Sequence, residues 1–468
     1  MTEFLLNNKL IRTDLPKGMI LLDFIRNERG LKGTKTACRE GDCGSCTILL
    51  GTLNSKGDIH YKAITSCITP LGNAHGKHVV TIEGLNSKEI SPVQKSLVDT
   101  AAIQCGYCTP GIVLSLTGYV LSEANYSFER AKDAVGGNIC RCTGYKSIER
   151  AIEELNNVLK SSKMDDGMDA LVANNFVPAY FKDIKSQLQK IKSSGSSENA
   201  SQVIGGGTDL YVQRPDEMIE VEPRLVSNDP SLTSITLQGG KLKIGAACKM
   251  TELLENKTLQ DTIPGFKNFI ELIASKLIRN IATVAGNIVN ASPIGDLSIL
   301  FLALDAMLEI ETFDKKRREV KLKDFFKAYK KIDLQKNEMI KSITIELPDG
   351  RSKFNFEKVS KRKYLDIASV NSAILVEHDD HKITDIHMAV GGVAPIPKYL
   401  SETCKFLKGK ELSDKTIAEA AELLGEEISP ISDVRGSAEY KKLLAKQLFY
   451  AHFLELFPEY LMNLEIRT

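Results

Sequence analysis

Eight of the ten cysteines fall between Cys38 and Cys142, while the rest of the chain holds only Cys248 and Cys404. The stretch "ACREGDCGSC" (Ala37–Cys46) places Cys38, Cys43 and Cys46 on one glycine-broken loop, and Cys67 follows after twenty residues. Four thiolates that converge can hold a metal centre; a tight loop delivers three and a distant strand closes the fourth side. The spacing Cys38-x4-Cys43-x2-Cys46…Cys67 matches that of plant-type ferredoxins, which bind a [2Fe-2S] cluster. Gly41 and Gly44 let the backbone curl around an inorganic core and aim N–H groups at sulfides. A structural zinc loop is the alternative, since four sulfurs suit zinc as well. Zinc ribbons, however, prefer two separated cysteine pairs to a three-plus-one arrangement.

The second set is Cys105-x2-Cys108, then thirty-one residues, then Cys140-x-Cys142. Pro110 and Gly111 follow the first pair, and Gly136, Gly137 and Asn138 precede the second, so these thiols sit at helix boundaries. Taken alone the spacing is ambiguous, and zinc or a Cys-x-x-Cys redox pair fits it equally well. Beside a ferredoxin-type loop it gains force, because a second cluster extends an electron path that one cluster only starts.

The chain that must position these thiols has 468 residues, which exceeds one hydrophobic core and implies about two to four domains. Apolar content of 43% and charged content of 26% are those of a soluble globular protein. A net charge of +1 gives no electrostatic reason to expect nucleic acid or an anionic membrane as partner. "MTEFLLNNKLIRTDLPKG" has no apolar core of a signal peptide. "GIVLSLTGYVLS" and "LSILFLALDAML" are too short to span a bilayer. A cytoplasmic location is expected, where clustered cysteines act as ligands or catalysts rather than as disulfides.

Up to about Glu83, short apolar runs alternate with Gly, Asn and Asp, which reads as a small mixed sheet with one helix around Met19–Arg29. From Ser91 to about Ser161 the period becomes helical in four segments, a small bundle. "SSKMDDGMDA" (Ser161–Ala170) reads as a linker and "KIKSSGSSENAS" as a solvated loop. "VIGGGTDLYV", "KLKIGAAC", "SITIELP" and "AILVEH", with helices between, are expected to form an α+β domain of their own. From roughly Gly350, strand-like runs ("KFNFEKVS", "KITDIHMAVGG") give way to helices.

The three motifs "EGDCGSC", "QCGYCTPG" and "GNICRCTGY" resemble the iron–sulfur signatures of the molybdenum hydroxylases, the group of xanthine dehydrogenase and aldehyde oxidase. The resemblance implies two [2Fe-2S] clusters, one on Cys38, Cys43, Cys46 and Cys67, the other on Cys105, Cys108, Cys140 and Cys142. "GGGTDL" (Gly205–Leu210) is weak evidence alone, and a bland turn after a strand is an equal reading. It is neither a Rossmann fingerprint nor a nucleotide P-loop, yet three glycines permit close backbone approach to a pyrophosphate. "RNIATVAGNIVNASPIGDL" (Arg279–Leu297) supports it, with hydroxyls and an Asn amide that can bind phosphate or flavin edges. Both segments resemble the FAD-binding domain of the same family.

Carried over by position, the resemblance implies FAD contacts from Val203, Ile204, Gly205, Gly206, Gly207, Thr208, Asp209 and Leu210. It adds Thr283, Val284, Ala285, Gly286 and Asn287, with Asp296 on the ribityl chain and Ile340 and Lys358 as further contacts. Ala285 stands where the family has the first Gly of a Gly-Gly-Asn, and Ile273 where some relatives place an aromatic residue. The implied fold is α+β multidomain. It comprises a plant-type ferredoxin β-grasp domain (1–84), a four-helix iron–sulfur bundle (85–162) and a linker (163–172). A vanillyl-alcohol-oxidase-like FAD-binding domain (173–349) and a C-terminal domain of the carbon monoxide dehydrogenase flavoprotein type (350–468) follow.

The remaining residues have plain readings. Seven histidines form no metal-spaced pair, Cys248 and Cys404 read as core, "FDKKRREVKLK" as a solvated hairpin and "TIAEAAELLGEE" as an amphipathic surface helix.

Two clusters and FAD make an electron wire, and the resemblance implies its ends. The source is a molybdopterin centre on a larger partner subunit, in a heterodimer or dimer of heterodimers; the sink is NAD+. Fusion of the iron–sulfur and flavin parts in one chain points to hypoxanthine or xanthine as substrate. Aldehydes, nicotinate, other N-heterocycles and carbon monoxide are alternatives, because no residue of this chain is expected to touch substrate or act as a catalytic group. A stand-alone NADH-dependent reductase and a zinc-bound scaffold are the readings from other classes.

Overall fold

In the computed structural model residues 1–54, 56–123, 125–162, 167–192 and 201–461 are described. The chain divides into two compact units, Met1–Val226 with Ser275–Ala282, and Ser227–Ala274 with Thr283–Thr468.

The first unit opens with a five-stranded sheet of β1 (Thr2–Leu6), β2 (Lys9–Thr13), β3 (Thr47–Leu53), β4 (Ile59–Thr65) and β5 (His78–Val80). Its order is β2-β1-β5-β3-β4, with β1 and β5 parallel and the other neighbours antiparallel. The helix expected around Met19–Arg29 is present. Its first turn, Leu21–Asp23, runs into a π-helix, Phe24–Glu28. Leu21, Leu22, Phe24 and Ile25 are buried in the same core as the sheet, and the Phe24 ring meets Phe4 edge-on at 5.7 Å. Each large apolar side chain buried here contributes on the order of 2 kcal/mol.

Four helices follow: Pro92–Asp99, Thr109–Ser122, Phe128–Val135 and Lys146–Ser161. The first starts in a capping box of Ser91 and Gln94, and Ser127 caps the third. Thr109–Ser122 is buried on every face from Gly111 to Val120, as its unbroken apolar run requires. It packs on β3 and β4, so that Leu49 and Tyr61 of the sheet share a core with Leu114, Leu116 and Tyr119 of the bundle.

One sequence expectation changes here. Residues 167–172 of the expected linker lie in a helix, Gly167–Ala173, with Ala170 and Leu171 buried; residues 163–166 lie outside the described residues, as does 193–200 of the expected solvated loop. Residues of the flavin domain expected at 173–349 are found in both compact units. The parallel pair β6 (Gln202–Ile204) and β7 (Pro223–Leu225) belongs to the first. Ile204, Tyr211, Met218 and Ile281 complete the same apolar core as Phe4, Leu21 and Ile64.

The second unit contains β8 (Ile235–Gln238), β9 (Lys241–Gly245), β10 (Met307–Thr312), β11 (Arg317–Lys321), a ribbon of β12 (Phe326–Ala328) and β13 (Lys331–Ile332), and β14 (Glu338–Glu346). The main sheet is antiparallel in the order β11-β10-β14-β9-β8. The basic run is the β10–β11 hairpin, where Lys315 and Arg317 pair with the buried Glu311. A second antiparallel sheet runs β15 (Ser352–Val359), β16 (Val370–Asp379), β17 (Lys382–Gly391) and β18 (Lys398–Tyr399). "AILVEH" is part of β16, so it belongs to this last sheet rather than to the flavin domain. Helices Asp414–Glu427 and Ala438–Leu456 share its core. Among the described residues no helix is long and apolar enough to cross a membrane.

Candidate functional site

Between the π-helix and β3 the chain makes the loop that carries Cys38, Cys43 and Cys46. Gly41 (φ +82°) and Gly44 (φ +65°) take the left-handed conformation, as does Arg39 (φ +60°). A side-chain fork holds Arg39 there: its guanidinium donates to both oxygens of Asp23 at 3.0 and 2.5 Å. Cys67 comes from the 3-10 turn Ser66–Ile68 at the end of β4, and the Ser66 hydroxyl donates to the Cys46 carbonyl at 2.7 Å. Cys46 and Cys67 are only 2% exposed.

The thiols meet two by two. Cys38 hydrogen-bonds with Cys43, which lowers the Cys43 pKa to about 4 and raises that of Cys38. Cys46 and Cys67 do the same, with Cys46 lowered and Cys67 raised. The second group repeats the arrangement at helix ends. Cys108 immediately precedes the helix Thr109–Ser122, and Cys140 and Cys142 lie in the turn before Lys146–Ser161. Cys105 faces Cys142 and Cys108 faces Cys140. Burial, then the contact with Cys140, pushes the Cys108 thiol up to about 12. Cys105 and Cys142 are exposed.

Among the described residues no three His, Cys, Asp or Glu groups converge as ligands of a single metal ion. Two pairs per group suit a two-iron cluster, which takes four cysteine thiolates. The donor set therefore fits [2Fe-2S] centres. The histidines stay out of it: His78 is buried between the Tyr61 hydroxyl and the Asn7 carbonyl, each at 2.8 Å. Cys248 and Cys404 are buried as expected.

The two thiol groups are joined through their backbones. The Ile139 amide donates to the Cys43 carbonyl at 3.0 Å, and the Tyr107 hydroxyl donates to the Thr36 carbonyl. The Asn138 amide reaches the Gly44 carbonyl at 3.0 Å. A Cβ on Gly44 would stand 2.4 Å from the Gly137 carbonyl oxygen, so only glycine permits this crossing. In the sequence Asn138 marks only a helix boundary, and no local pattern singles out Asp23, Arg39 or Tyr107. Only the spacing of "GNIC" beside a ligand hinted at more.

Val203–Leu210 lies in the first unit. A Cβ on Gly206 would come within 2.1 Å of the Ile281 carbonyl oxygen, and the Asn73 amide donates to the Gly205 carbonyl at 2.9 Å. Gly206 thus has a packing reason, as the bland reading allowed. Ser275–Ala282, the stretch leading into Thr283, rests on the ferredoxin domain: the Asn280 amide donates to the Ala63 carbonyl at 2.8 Å, and Ile278 packs into that core.

Thr283, Val284, Ala285, Gly286, Asn287, Asp296, Ile340 and Lys358 lie in the second unit. The Thr283 hydroxyl accepts from the Gly286 amide at 3.2 Å and caps the helix Val284–Asn290. Ala285 is helical and buried, with its amide on the Ala246 carbonyl at 3.1 Å. No left-handed turn there requires glycine. Asp296 and Lys358 are brought together as an ion pair at 2.8 Å, with the Lys358 side chain 1% exposed. Lys358 also donates to the Leu272 carbonyl and Asn371 to the other Asp296 oxygen. Ile340 sits apart in β14, opposite Ile310, although that strand packs on Val284–Asn290. Asn287 Oδ1, Ser298 Oγ and Asn371 Oδ1 are buried without a hydrogen-bond partner among the described residues. Buried polar groups are normally satisfied, so these orphans around the start of the Asp296–Ala303 helix fit a polar ligand such as a ribityl or phosphate group.

Four domain families match the chain in order. They are a 2Fe-2S iron-sulfur cluster binding domain (residues 4–71), a [2Fe-2S] binding domain (81–153), the FAD binding domain in molybdopterin dehydrogenase (174–348) and the CO dehydrogenase flavoprotein C-terminal domain (356–456). The chain is similar to xanthine dehydrogenase 1 of Arabidopsis thaliana, at 29% identity over 97% of its length and 40% of that protein's. It is also similar to xanthine dehydrogenase/oxidase of Gallus gallus, at 25% identity over 96% and 39%. It thus spans about 40% of the length of these relatives. Among solved structures, carbon monoxide dehydrogenase from Hydrogenophaga pseudoflava superposes with a TM-score of 0.51 at 24% identity, covering 54% of this chain and 88% of that one. Quinoline 2-oxidoreductase from Pseudomonas putida 86 gives 0.50 at 25% identity, over 55% and 88%. Two iron–sulfur domains followed by both flavoprotein domains in this order fit the iron–sulfur and FAD-binding part of a molybdenum hydroxylase.

Proposed function

We propose that this chain carries electrons from a molybdopterin centre on a larger partner subunit, through two [2Fe-2S] clusters, to FAD and on to NAD+. The reaction it serves is the oxidation of hypoxanthine and xanthine to urate. The observation that carries the reading is the pairing of eight thiols in two groups whose backbones meet at Cys43 and Ile139. Cys38, Cys43, Cys46 and Cys67 hold one cluster, and Cys105, Cys108, Cys140 and Cys142 the other. The FAD contacts come from Val203–Leu210, Thr283–Asn287, Asp296, Ile340 and Lys358. FAD, when bound, links one-electron carriers to a two-electron acceptor.

The chain's own residues set the direction. Around the exposed Cys105 and Cys142, the side chains of Ile103, Tyr107, Ile139 and Tyr145 are also exposed, which supports contact with a partner at this end. The first group is more deeply placed and rests beside Ser275–Ala282, the stretch that leads into the flavin segment. Lys358 and Asn371 orient the Asp296 side chain, leaving oxygen lone pairs for ligand hydroxyls.

Anaerobically prepared protein should contain about four irons and four acid-labile sulfides per chain, as two such clusters require, together with one FAD. The native complex should reduce NAD+ with xanthine. Absence of iron and sulfide overturns the electron wire; activity on xanthine with an artificial dye but never with NAD+ overturns the choice of acceptor. The likeness to carbon monoxide and quinoline oxidoreductases favours a second reading, the same wire serving another substrate, and substrate screening of the complex separates the two.

A further inference from the structure

Asn138 is 5% exposed, too little for contact with solvent to explain an amide at this position. Its side chain is fixed on three sides. Oδ1 accepts from the Ser115 hydroxyl at 2.7 Å, while Nδ2 donates to the Gly44 carbonyl at 3.0 Å and to the Thr47 hydroxyl at 3.2 Å. The Thr47 hydroxyl in turn donates to the same Gly44 carbonyl at 2.6 Å. The direction of every bond is therefore set, and the amide cannot flip without losing all three. One end of this clamp is the ferredoxin loop and the other is the central helix of the bundle.

The neighbours of the clamp are the ligands themselves. Gly44 follows Cys43, and Asn138 is followed by Ile139 and Cys140. With Asn138 seated, the Ile139 amide lies on the Cys43 carbonyl at 3.0 Å. A short bridge results, from Cys43 through one hydrogen bond to the backbone of Ile139 and so to Cys140. Gly111 shows how closely the parts are fitted: a Cβ there would stand 2.4 Å from the Gly44 carbonyl oxygen and 3.0 Å from Asn138 Nδ2. The contacting residues are separated by 94 positions in the chain, so the clamp is not a local turn.

We propose that Asn138 is a positioning residue for electron exchange between the two thiol-bound clusters, holding the hydrogen-bonded bridge between Cys43 and Cys140 in place. This rests on the reading of the eight cysteines as cluster ligands. The step moves one electron: the cluster on Cys140 is oxidised by one and the cluster on Cys43 reduced by one, with no proton transferred and no further reactant. Asn138 touches neither cluster. It acts by keeping the bridge closed.

The test is electron equilibration between the clusters in full-length Asn138→Ala, followed by rapid-freeze paramagnetic resonance after partial reduction. Both cluster signals and the iron content are expected to persist, with the two reduction potentials unchanged. Equilibration should slow measurably as the hydrogen bond between the Ile139 amide and the Cys43 carbonyl opens, and exchange of the Ile139 amide should quicken. A merely structural Asn138 would change stability or cluster content but not the rate between two intact clusters. Unchanged equilibration in a fully loaded variant overturns the proposal. Should Asn138→Ala not load both clusters, Ser115→Ala decides by the same measurement, since it removes the bond that fixes Oδ1 without touching either loop; an unchanged rate there overturns it equally. Absence of two iron–sulfur signals in the wild-type chain would instead remove the underlying reading of the ligands.

Discussion

Cys46 and Cys67 are buried to 2% exposure under a five-stranded sheet, whereas Cys105 and Cys142 stand open to solvent at the ends of two helices. Both groups supply four thiols in two contacting pairs. They differ in what holds those pairs. The first loop is pinned by the Arg39–Asp23 fork, by Ser66 and by the crowded Gly44. The second carries Gly106 and Gly144, both at positive φ, and a Cβ on either would meet nothing within 4 Å. Half of the first site is built into a core, and half of the second stands on a surface. Burial and hydrogen bonding around sulfur tune a cluster's potential, so the two are expected to differ in potential as well as in access.

The sharpest way to break this comparison is Gly44→Val. The new side chain meets the Gly137 carbonyl and Asn138 while the backbone stays at φ +65°. Strain and overpacking together should cost on the order of 3 kcal/mol, and calorimetry should find the first unit's unfolding midpoint lowered with both cluster signals diminished. Retention of both signals would mean that the loops do not depend on this crossing.

Next come the ligands. Cys46→Ser leaves a buried hydroxyl in a site shaped for a cluster, and should lose one cluster spectrum together with about 1–3 kcal/mol of stability. Cys105→Ser should lose the other spectrum with the unfolding midpoint unmoved. Flavin absorbance is expected to survive both, because no cysteine of either group is among the proposed FAD contacts; loss of flavin in either variant would sink that separation.

Acid separates the regions further. Burial, opposed by the Asn7 carbonyl, lowers the His78 pKa to about 3, so the folded sheet holds a neutral imidazole. The unfolded chain takes up the proton below about pH 6.5, so stability is full above that value and falls below it by about 1.4 kcal/mol per pH unit. The four-helix region has no histidine between Pro92 and Ser161. Unfolding of the first unit followed between about pH 7.5 and 5.5 should show this slope, and His78→Gln should flatten it. Smallest of all is Gly106→Ala, where space is free and only the positive φ resists, a cost of about 1 kcal/mol.

The two groups of four thiols were legible because metal chemistry constrains residue type and spacing within short loops. The glycines of "GDCGSC" were legible for the same reason, since a curled loop needs left-handed residues. The buried Asp296–Lys358 pair was legible only as two separate residues, 62 positions apart, because no local pattern records a partner. The compact units were harder still. Ser275–Ala282 lies within the flavin region by sequence yet joins the first unit, because Ile281 fills a gap beside Ile204 and Tyr211. Likewise, "GMDALVA" reads as polar linker until Ala170 and Leu171 find their apolar neighbours.

By itself the sequence determined the eight thiols, the change from sheet to helices near residue 85, and the family resemblance that the domain matches support. These are carried by local periodicity and by side chains whose chemistry has few substitutes. Tertiary structure alone decided which thiol faces which, which group is buried, and that Asn138 ties Gly44 to Ser115 across 94 residues of chain. Such contacts depend on how close-packed elements meet, and packing is a property of the whole core that no short stretch of residues encodes.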